Sequence, residues 1–122
     1  MLFDTRYFWA VFTSRSDETT KGLRGILEKS DTQYVSSISL FEVYRLTLDT
    51  EGRTVARLRT DAIEREFKVI EVDSAIVREG AEIGHRLAVP MADALIMATA
   101  KTLRVPCVTD DPHFTEVRTL WI

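Results

Sequence analysis

Short apolar runs alternate with longer segments of helical periodicity along this chain of 122 residues. Short apolar runs bounded by polar residues predict strands, and apolar residues spaced three and four positions apart predict helices. The predicted strands are Met1–Phe3, Gln33–Ser36, Phe67–Val72, Val105–Thr109 and Arg118–Trp121. The predicted helices are Thr5–Ser14, a helix capped by Asp17 and running to about Lys29, Ser39–Leu48, Thr54–Glu66, Ser74–Leu87 capped by Asp73, and Pro90–Leu103.

The order of these elements predicts an α/β fold. Strands separated by helical segments of ten or more residues require crossover connections, which produce a parallel sheet with helices on both faces. Val105–Thr109 contains no charged residue, as expected of a strand that is covered on both faces. Because no repeat, low-complexity tract or linker interrupts the chain, we expect a single domain over residues 1–122.

Composition narrows the functional classes. The single Cys107 cannot form an intrachain disulfide, and no apolar run approaches the roughly 20 residues needed to span a bilayer. Because the first residues also lack the pattern of a secretory signal, we expect a soluble cytoplasmic protein with no membrane partner. A net charge of −3 argues against a broad basic surface for duplex binding, although divalent cations could still bridge acidic residues to a phosphodiester.

Asp93 is the only charged residue in Leu87–Ala100, a segment that is apolar on nearly every helical face. A buried ionised carboxylate without a partner costs several kcal/mol or takes up a proton. Near the start of a helix, the free backbone N–H groups and the helix dipole favour a negative charge. Asp93 is therefore predicted either to cap a neighbouring group or to serve a functional site.

Three further acidic positions favour a site. Asp4 and the pair Asp110 and Asp111 follow predicted strands, and Glu42 lies in the first helical turn after Ser39. In parallel sheets, ligands bind beyond the carboxyl ends of the strands, so these carboxylates are predicted to share one rim. Two carboxylates about 4 Å apart repel by roughly 4 kcal/mol at an effective dielectric of about 20, which hard divalent ions such as Mg²⁺ or Mn²⁺ would relieve. The chain lacks the histidine and cysteine set of a zinc site.

Four short motifs together resemble the PIN-domain ribonucleases, particularly the VapC-type toxins of toxin–antitoxin pairs. They are FDTRYF around Asp4, SISLFEVYRL around Glu42, MADALIMATA around Asp93, and VTDDPHF near the end of the chain. Each motif alone is permissive. Their order, spacing and coverage of nearly the whole chain make the resemblance specific.

The resemblance implies a PIN-like domain that cleaves RNA phosphodiester bonds with Mg²⁺ or Mn²⁺. It makes Asp4, Glu42 and Asp93 metal-site carboxylates. Aligning the T-x-D turn on Thr109 makes Asp111 the fourth, with Asp110 as a neighbour that could substitute or assist. It also implies a homodimer and a cognate antitoxin whose segment blocks the acidic groove.

Each acidic residue also has a structural interpretation. Ser39 and Glu42 match the S-x-x-E pattern of a helix capping box. Asp4 could cap the first helix, and the aspartate pair before Pro112 could start a turn. Capping and metal binding can coexist at one residue.

Several other side chains have two interpretations. Arg6, where the family often has a small polar residue, could contact substrate phosphate or pair with a pocket carboxylate. His113 is interpreted as a solvent-facing loop residue rather than a general base. The aromatic residues of the first helix are more typical of a core or partner interface than of base stacking. The fourth helix carries basic residues that form either a solvated face or an RNA contact: Arg53, Arg57, Arg59 and Arg65.

Two other functions are compatible with parts of the pattern. A catalytically inactive PIN-like module could use the same surface to bind RNA or a protein. A phosphoryl-transfer domain of the receiver or dehalogenase type would also have an aspartate after its first strand. Because Asp4-Thr5-Arg6 lacks the second aspartate of a D-x-D motif, the sequence disfavours this third interpretation.

Overall fold

The structure is a computed structural model that describes all residues 1–122. Its strands are β1 (Leu2–Phe3), β2 (Tyr34–Ser36), β3 (Lys68–Ile70), β4 (Cys107–Val108) and β5 (Thr119–Leu120). They form one sheet in the order β3-β2-β1-β4-β5, in which every neighbouring pair is parallel. Each predicted strand is therefore present, although the hydrogen-bonded part is shorter than the apolar run.

Six helices connect and cover the strands. They are α1 (Thr5–Thr13), α2 (Asp17–Glu28), α3 (Ser37–Glu51), α4 (Arg53–Glu66), α5 (Ser74–Leu87) and α6 (Met91–Leu103). None of them is long and apolar enough to cross a membrane. The predicted α/β class is confirmed. The connection between β4 and β5, residues 109–118, is the one crossover that contains no helix.

Alternate strand residues point to opposite faces of the sheet, and each face has its own core. Leu2 and Cys107 belong to a cluster with apolar residues of α5 and α6. Phe3 and Val108 belong to a second cluster with residues of α1, α2, α3 and α4. Helices therefore cover both faces, as the strand pattern predicts.

Helices α4 and α6 begin one residue away from the predicted starts, at Arg53 and Met91, and α2 and α3 have caps other than those predicted. Ser36 caps α3 by accepting a hydrogen bond from the backbone N–H of Ile38, so the helix starts before Ser39. Likewise, Ser16 caps α2, and Asp17 is the first helical residue. In both cases an earlier serine is the cap in place of the predicted residue. Serine and aspartate are both good N-caps, so the sequence alone does not choose between them.

Helix α6 lies very close to α5 where Gly80 faces Leu95. A Cβ atom added at Gly80 would lie 2.8 Å from Leu95 Cδ2 and 3.4 Å from Leu95 Cα. Both residues are buried, and Ala94 packs in the same cluster. The absence of a side chain at Gly80 therefore allows α6, which carries Asp93 in its first turn, to approach the rest of the fold.

Candidate functional site

The topology brings the predicted carboxylates to one edge of the sheet. Asp4 directly follows β1, and Asp111 lies three residues beyond the end of β4, which is the neighbour of β1. Glu42 lies on α3, which starts directly after β2 on the other side of β1. Because α6 leads into β4, it begins near the carboxyl edge of the sheet, and Asp93 lies in its first turn.

Asp4 is the most buried member, with only 3% of its surface exposed. Its backbone N–H donates to the carbonyl of Val108 at 3.1 Å, and the Thr109 hydroxyl donates to its Oδ2 at 2.7 Å. Burial raises the pKa of Asp4 to about 6, against the hydrogen bond from Thr109, and the charges of Asp93 and Glu42 raise it further. Asp4 stands at the N-cap position of α1, but its side chain makes no capping hydrogen bond.

Thr109 also orients Asp111. Its Oγ1 accepts a hydrogen bond from the backbone N–H of Asp111 at 3.1 Å while the hydroxyl proton is donated to Asp4. Asp111 Oδ1 in turn accepts from the backbone N–H of His113 at 2.9 Å, which is the side-chain turn expected before a proline. One threonine therefore joins the carboxylate after β1 to the turn after β4.

Asp93, Asp111 and His113 form a compact group. His113 Nδ1 lies 3.1 Å from Asp93 Oδ2 and 3.0 Å from Asp111 Oδ1. The pKa of Asp93 is raised, first by partial burial and then by the charge of Asp111, and proximity to His113 opposes this. The side chain of His113 is 52% exposed, as predicted for a solvent-facing loop residue, but its Nδ1 lies against Asp93 and Asp111. The Asp111 turn brings His113 close to Asp111, which residue type alone does not predict.

Glu42 is held by hydroxyl groups and does not belong to a capping box. It lies in the second turn of α3, since that helix begins at Ser37. The Thr5 hydroxyl donates to Glu42 Oε1 at 2.6 Å and lies 3.0 Å from Ser39 Oγ. Because a hydroxyl has one proton, Ser39 donates in the second contact. Sequence reasoning missed Thr5 and Ser39 as supports of the site, and the available signal was a hydroxyl directly after Asp4.

Asp110 has a different partner. It forms an exposed ion pair and hydrogen bond with Arg6, the first-turn residue of α1. The Arg6 guanidinium lowers the pKa of Asp110, in contrast to the raised pKa of Asp4 and Asp93. Of the two interpretations of Arg6, the structure shows the pairing with a carboxylate, which is that of Asp110.

The basic helix α4 is not a uniform solvated face. Arg59 is held by Thr47 and Glu51 of α3, and its guanidinium stacks over the rings of Trp9 and Phe12 at 5.7 and 5.1 Å. Its side chain is only 12% exposed, so it fastens α4 to α1 and α3. The exposed basic residues of this helix are Arg53, Arg57 and Arg65.

The donor set fits a divalent cation. Oxygen atoms of aspartate and glutamate are the ligands that Mg²⁺ and Mn²⁺ prefer in proteins. Asp93 and Asp111 offer ligand atoms that, with His113, all lie within 4.8 Å of one another. Mutual repulsion and burial raise the pKa of Asp4 and Asp93, and a cation at this position would compensate both effects.

The sequence matches the family model "PIN domain" over residues 1–120. Similar solved structures include a toxin–antitoxin complex from Klebsiella pneumoniae, with 20% identity, a TM-score of 0.76, and coverage of 98% of this chain and 94% of that chain. DNA-bound VapBC from Salmonella typhimurium has 18% identity and a TM-score of 0.80, with coverage of 98% and 96%. VapC20 from Mycobacterium tuberculosis, described as a Sarcin-Ricin loop cleaving toxin, has 19% identity and a TM-score of 0.74, with coverage of 94% and 92%.

A comparison with curated proteins found no match. At these identities the solved structures establish a shared fold, and they do not by themselves transfer an activity to this chain.

Proposed function

Because this chain belongs to the PIN-domain family, we propose that it is a divalent-metal-dependent endoribonuclease and the toxin of a VapBC-type pair. The observation that carries the proposal is the grouping of four carboxylates from distant parts of the sequence at the carboxyl edge of the sheet: Asp4, Glu42, Asp93 and Asp111. The structural similarity to VapC20, a Sarcin-Ricin loop cleaving toxin, supports RNA as the substrate class.

The four carboxylates are the proposed holders of one or two Mg²⁺ or Mn²⁺ ions. The geometry favours Asp111 over Asp110, because Asp111 faces Asp93 while Asp110 is paired with Arg6. A bound ion supplies charge neutralisation at the phosphodiester and lowers the pKa of an attacking water.

The surrounding residues prepare the carboxylates for this role. Thr109 keeps one Asp4 oxygen occupied, so the rotation of that carboxyl group is restricted. Thr5 does the same for Glu42 from the adjacent chain position. Arg6 places a positive charge beside the site, where a phosphate of the RNA could exchange for Asp110 as its partner.

Cleavage of single-stranded and structured RNA with Mg²⁺ or Mn²⁺ tests the activity. Wild type is expected to cleave, whereas Asp93→Asn is expected to lose about a hundredfold or more in rate, as for loss of one transition-state charge stabiliser. The matched control is Asp61→Asn on the exposed side of α4, which should leave cleavage unchanged. Equal metal-dependent activity in wild type and Asp93→Asn would contradict the site assignment. RNA binding without turnover would support the inactive binding module instead.

An antitoxin partner is proposed because similar structures are toxin–antitoxin complexes. An open groove of about 480 Å³ between α1, α2 and α4 could receive apolar side chains of such a partner. It is lined mainly by Tyr7, Phe8, Phe12, Leu27, Ile63 and Phe67. None of the four carboxylates lines this groove, so a partner that docks there would need a further segment to reach the acidic site.

A homodimer is also proposed, and the exposed apolar side chains Phe41, Leu58 and Met91 are candidates for its interface. Light scattering of the purified chain tests this, and a monomer at micromolar concentration would contradict it. The proposed cytoplasmic location is supported by the single Cys107, which is buried and unpaired.

A further inference from the structure

Among the side chains that contact the acidic residues, His113 is the one whose nitrogen can be uncharged and can therefore bind a metal ion. Its Nδ1 lies at nearly equal distances from two carboxylate oxygens, one on α6 and one in the turn after β4. The Asp111 turn explains only its proximity to Asp111, since these residues are two apart in sequence. Its approach to Asp93 is a contact between residues twenty apart and is not required by the turn.

The separations are those of neighbouring ligands around one ion. Two adjacent ligands of an octahedral ion with bonds of about 2.1 Å lie about 3 Å apart. The two nitrogen–oxygen separations are 3.1 and 3.0 Å, and all three donor atoms lie within 4.8 Å of one another. A divalent ion that binds Asp93 and Asp111 would therefore have the His113 ring nitrogen within reach without rearrangement of the turn.

We propose that His113 is a nitrogen ligand of the metal site, and that it gives this protein a preference for Mn²⁺ and later first-row ions over Mg²⁺. The inference rests on the proposed function, because it assigns a ligand to the same site. Mg²⁺ is bound almost entirely by oxygen, whereas Mn²⁺ also prefers oxygen but, as a first-row transition ion, accepts an imidazole nitrogen among its carboxylate ligands. Removing the nitrogen therefore weakens Mn²⁺ binding selectively, which removal of a carboxylate would not do.

The chain offers a matched control. It contains two histidines, and the second, His85, lies exposed on α5 without a carboxylate partner among the hydrogen bonds and ion pairs of the structure. His113→Gln keeps an oxygen donor and a similar size in an exposed turn, so the variant is expected to fold. His85→Gln makes the same chemical change outside the site.

Calorimetric titrations with Mn²⁺ and with Mg²⁺ test the preference without reference to RNA cleavage. His113→Gln is expected to weaken Mn²⁺ binding about tenfold and to change Mg²⁺ binding less than about twofold, since only the former ion gains from nitrogen. His85→Gln should match wild type with both ions. Equal losses for both ions in His113→Gln, or no loss for either, would overturn the assignment.

Pulsed electron paramagnetic resonance of bound Mn²⁺ gives a direct readout of the bond. Wild type and His85→Gln should show nuclear modulation from a coordinated nitrogen, and His113→Gln should not. If wild type binds Mn²⁺ without nitrogen modulation, the His113 inference fails while the carboxylate site stands. If wild type binds no divalent ion, and Asp4→Asn and Asp93→Asn are equally silent, both the inference and the proposed metal-dependent function fail.

Discussion

The acidic cluster has two halves that differ in how they are built. The inner half consists of Asp4 and Glu42, which are held by the hydroxyls of Thr109 and Thr5. The outer half consists of Asp93, Asp111 and His113, which face one another across the start of α6 and the turn after β4. Asp4 is 3% exposed, whereas the side chains of Asp93 and Asp111 are each 16% exposed and that of His113 is 52% exposed.

The two halves of the cluster therefore differ in what fixes the positions of their side chains. In the inner half, Asp4 is positioned by the backbone of the adjacent strands β1 and β4, and burial disfavours its charged form, while Glu42 is held by the Thr5 hydroxyl. The outer half is positioned by a helix start and a side-chain turn, and its side chains are partly exposed to solvent. We expect substitutions in the inner half to alter activity and stability together, and exposed substitutions beside the outer half to alter neither strongly.

The largest contrast is expected in activity between two aspartates on neighbouring strand ends. Asp4→Asn should lower the rate of RNA cleavage by about 10² to 10³, as for removal of a group that stabilises developing charge in a dry site. Asp110→Asn should change the rate by less than about threefold, because the side chain is exposed and paired with Arg6. Single-turnover cleavage measures both. Similar losses of cleavage rate in the two variants would contradict the assignment of Asp4, and not Asp110, to the catalytic site.

The next contrast is the pH dependence of stability in the presence of a chelator. Burial places the pKa of Asp4 at about 6 in the folded chain, against 3.8 for an unperturbed aspartate. Between these values the folded chain binds more protons than the unfolded chain, so the free energy of unfolding falls as the pH rises through this window. The loss attributable to Asp4 is about 3 kcal/mol when both states are ionised.

Urea unfolding at pH 4 and pH 7.5 checks this loss. Asp4→Asn should lack it and should therefore be more stable than wild type at pH 7.5, although its rate of RNA cleavage is expected to be lower. Asp110→Asn is the control, because its pKa is lowered and the sign of any effect is reversed. Added Mn²⁺ should stabilise wild type at pH 7.5, since an ion that binds only the folded chain shifts unfolding by mass action. A pH profile that is unchanged by Asp4→Asn would contradict the assigned burial effect.

A smaller effect is expected at the hydroxyl that supports Glu42. Thr5→Val keeps the shape of the side chain and removes the hydrogen bonds to Glu42 and Ser39. Because buried polar groups lose a partner, we expect a decrease of about 1–3 kcal/mol in the free energy of unfolding. Thr50→Val on exposed α3 is the matched control, where the change should be within about 0.5 kcal/mol. Denaturant unfolding measures both variants. Equal changes in the free energy of unfolding would contradict a special role of the Thr5 hydroxyl in holding Glu42.

The smallest effect is expected for the exposed ion pair beside the cluster. Arg6→Ala should lower the free energy of unfolding by less than about 1 kcal/mol, and the difference should shrink in high salt. Arg45→Ala provides a comparison, because Arg45 and Asp49 form another exposed pair, within α3. Thermal unfolding at low and high salt tests this. A large, salt-independent loss at Arg6 would show that the pair is part of the buried half of the site.

The sequence was sufficient for the parts of the structure that depend on pattern. Apolar runs located all five strands, and the spacing of helices between strands predicted a parallel sheet whose carboxyl edge gathers the acidic residues. Asp93 was identifiable because a single charge inside an apolar helix needs an explanation.

Other parts depend on choices between neighbouring groups, which a pattern cannot rank. Ser36 and Ser39 are both capable of capping α3, and the difference moves Glu42 from the first to the second turn. His113 lies near Asp111 because of the turn between them, and Arg6 pairs with Asp110 from the first turn of α1. Each of these is a local three-dimensional contact between polar groups, and the sequence pattern does not rank polar partners that compete.

The close approach of Gly80 to Leu95 makes the acidic site sensitive to a glycine that is not itself part of the site. A Cβ atom at Gly80 would lie 2.8 Å from Leu95 Cδ2, so any larger side chain there would force the buried Leu95 side chain to move. Asp93 lies two residues before Leu95 in the first turn of α6, so a displacement of this turn would also move its carboxylate. A Cβ atom at Gly25 on α2 would meet no other atom within 4 Å. The same substitution there is therefore expected to leave the acidic site unchanged.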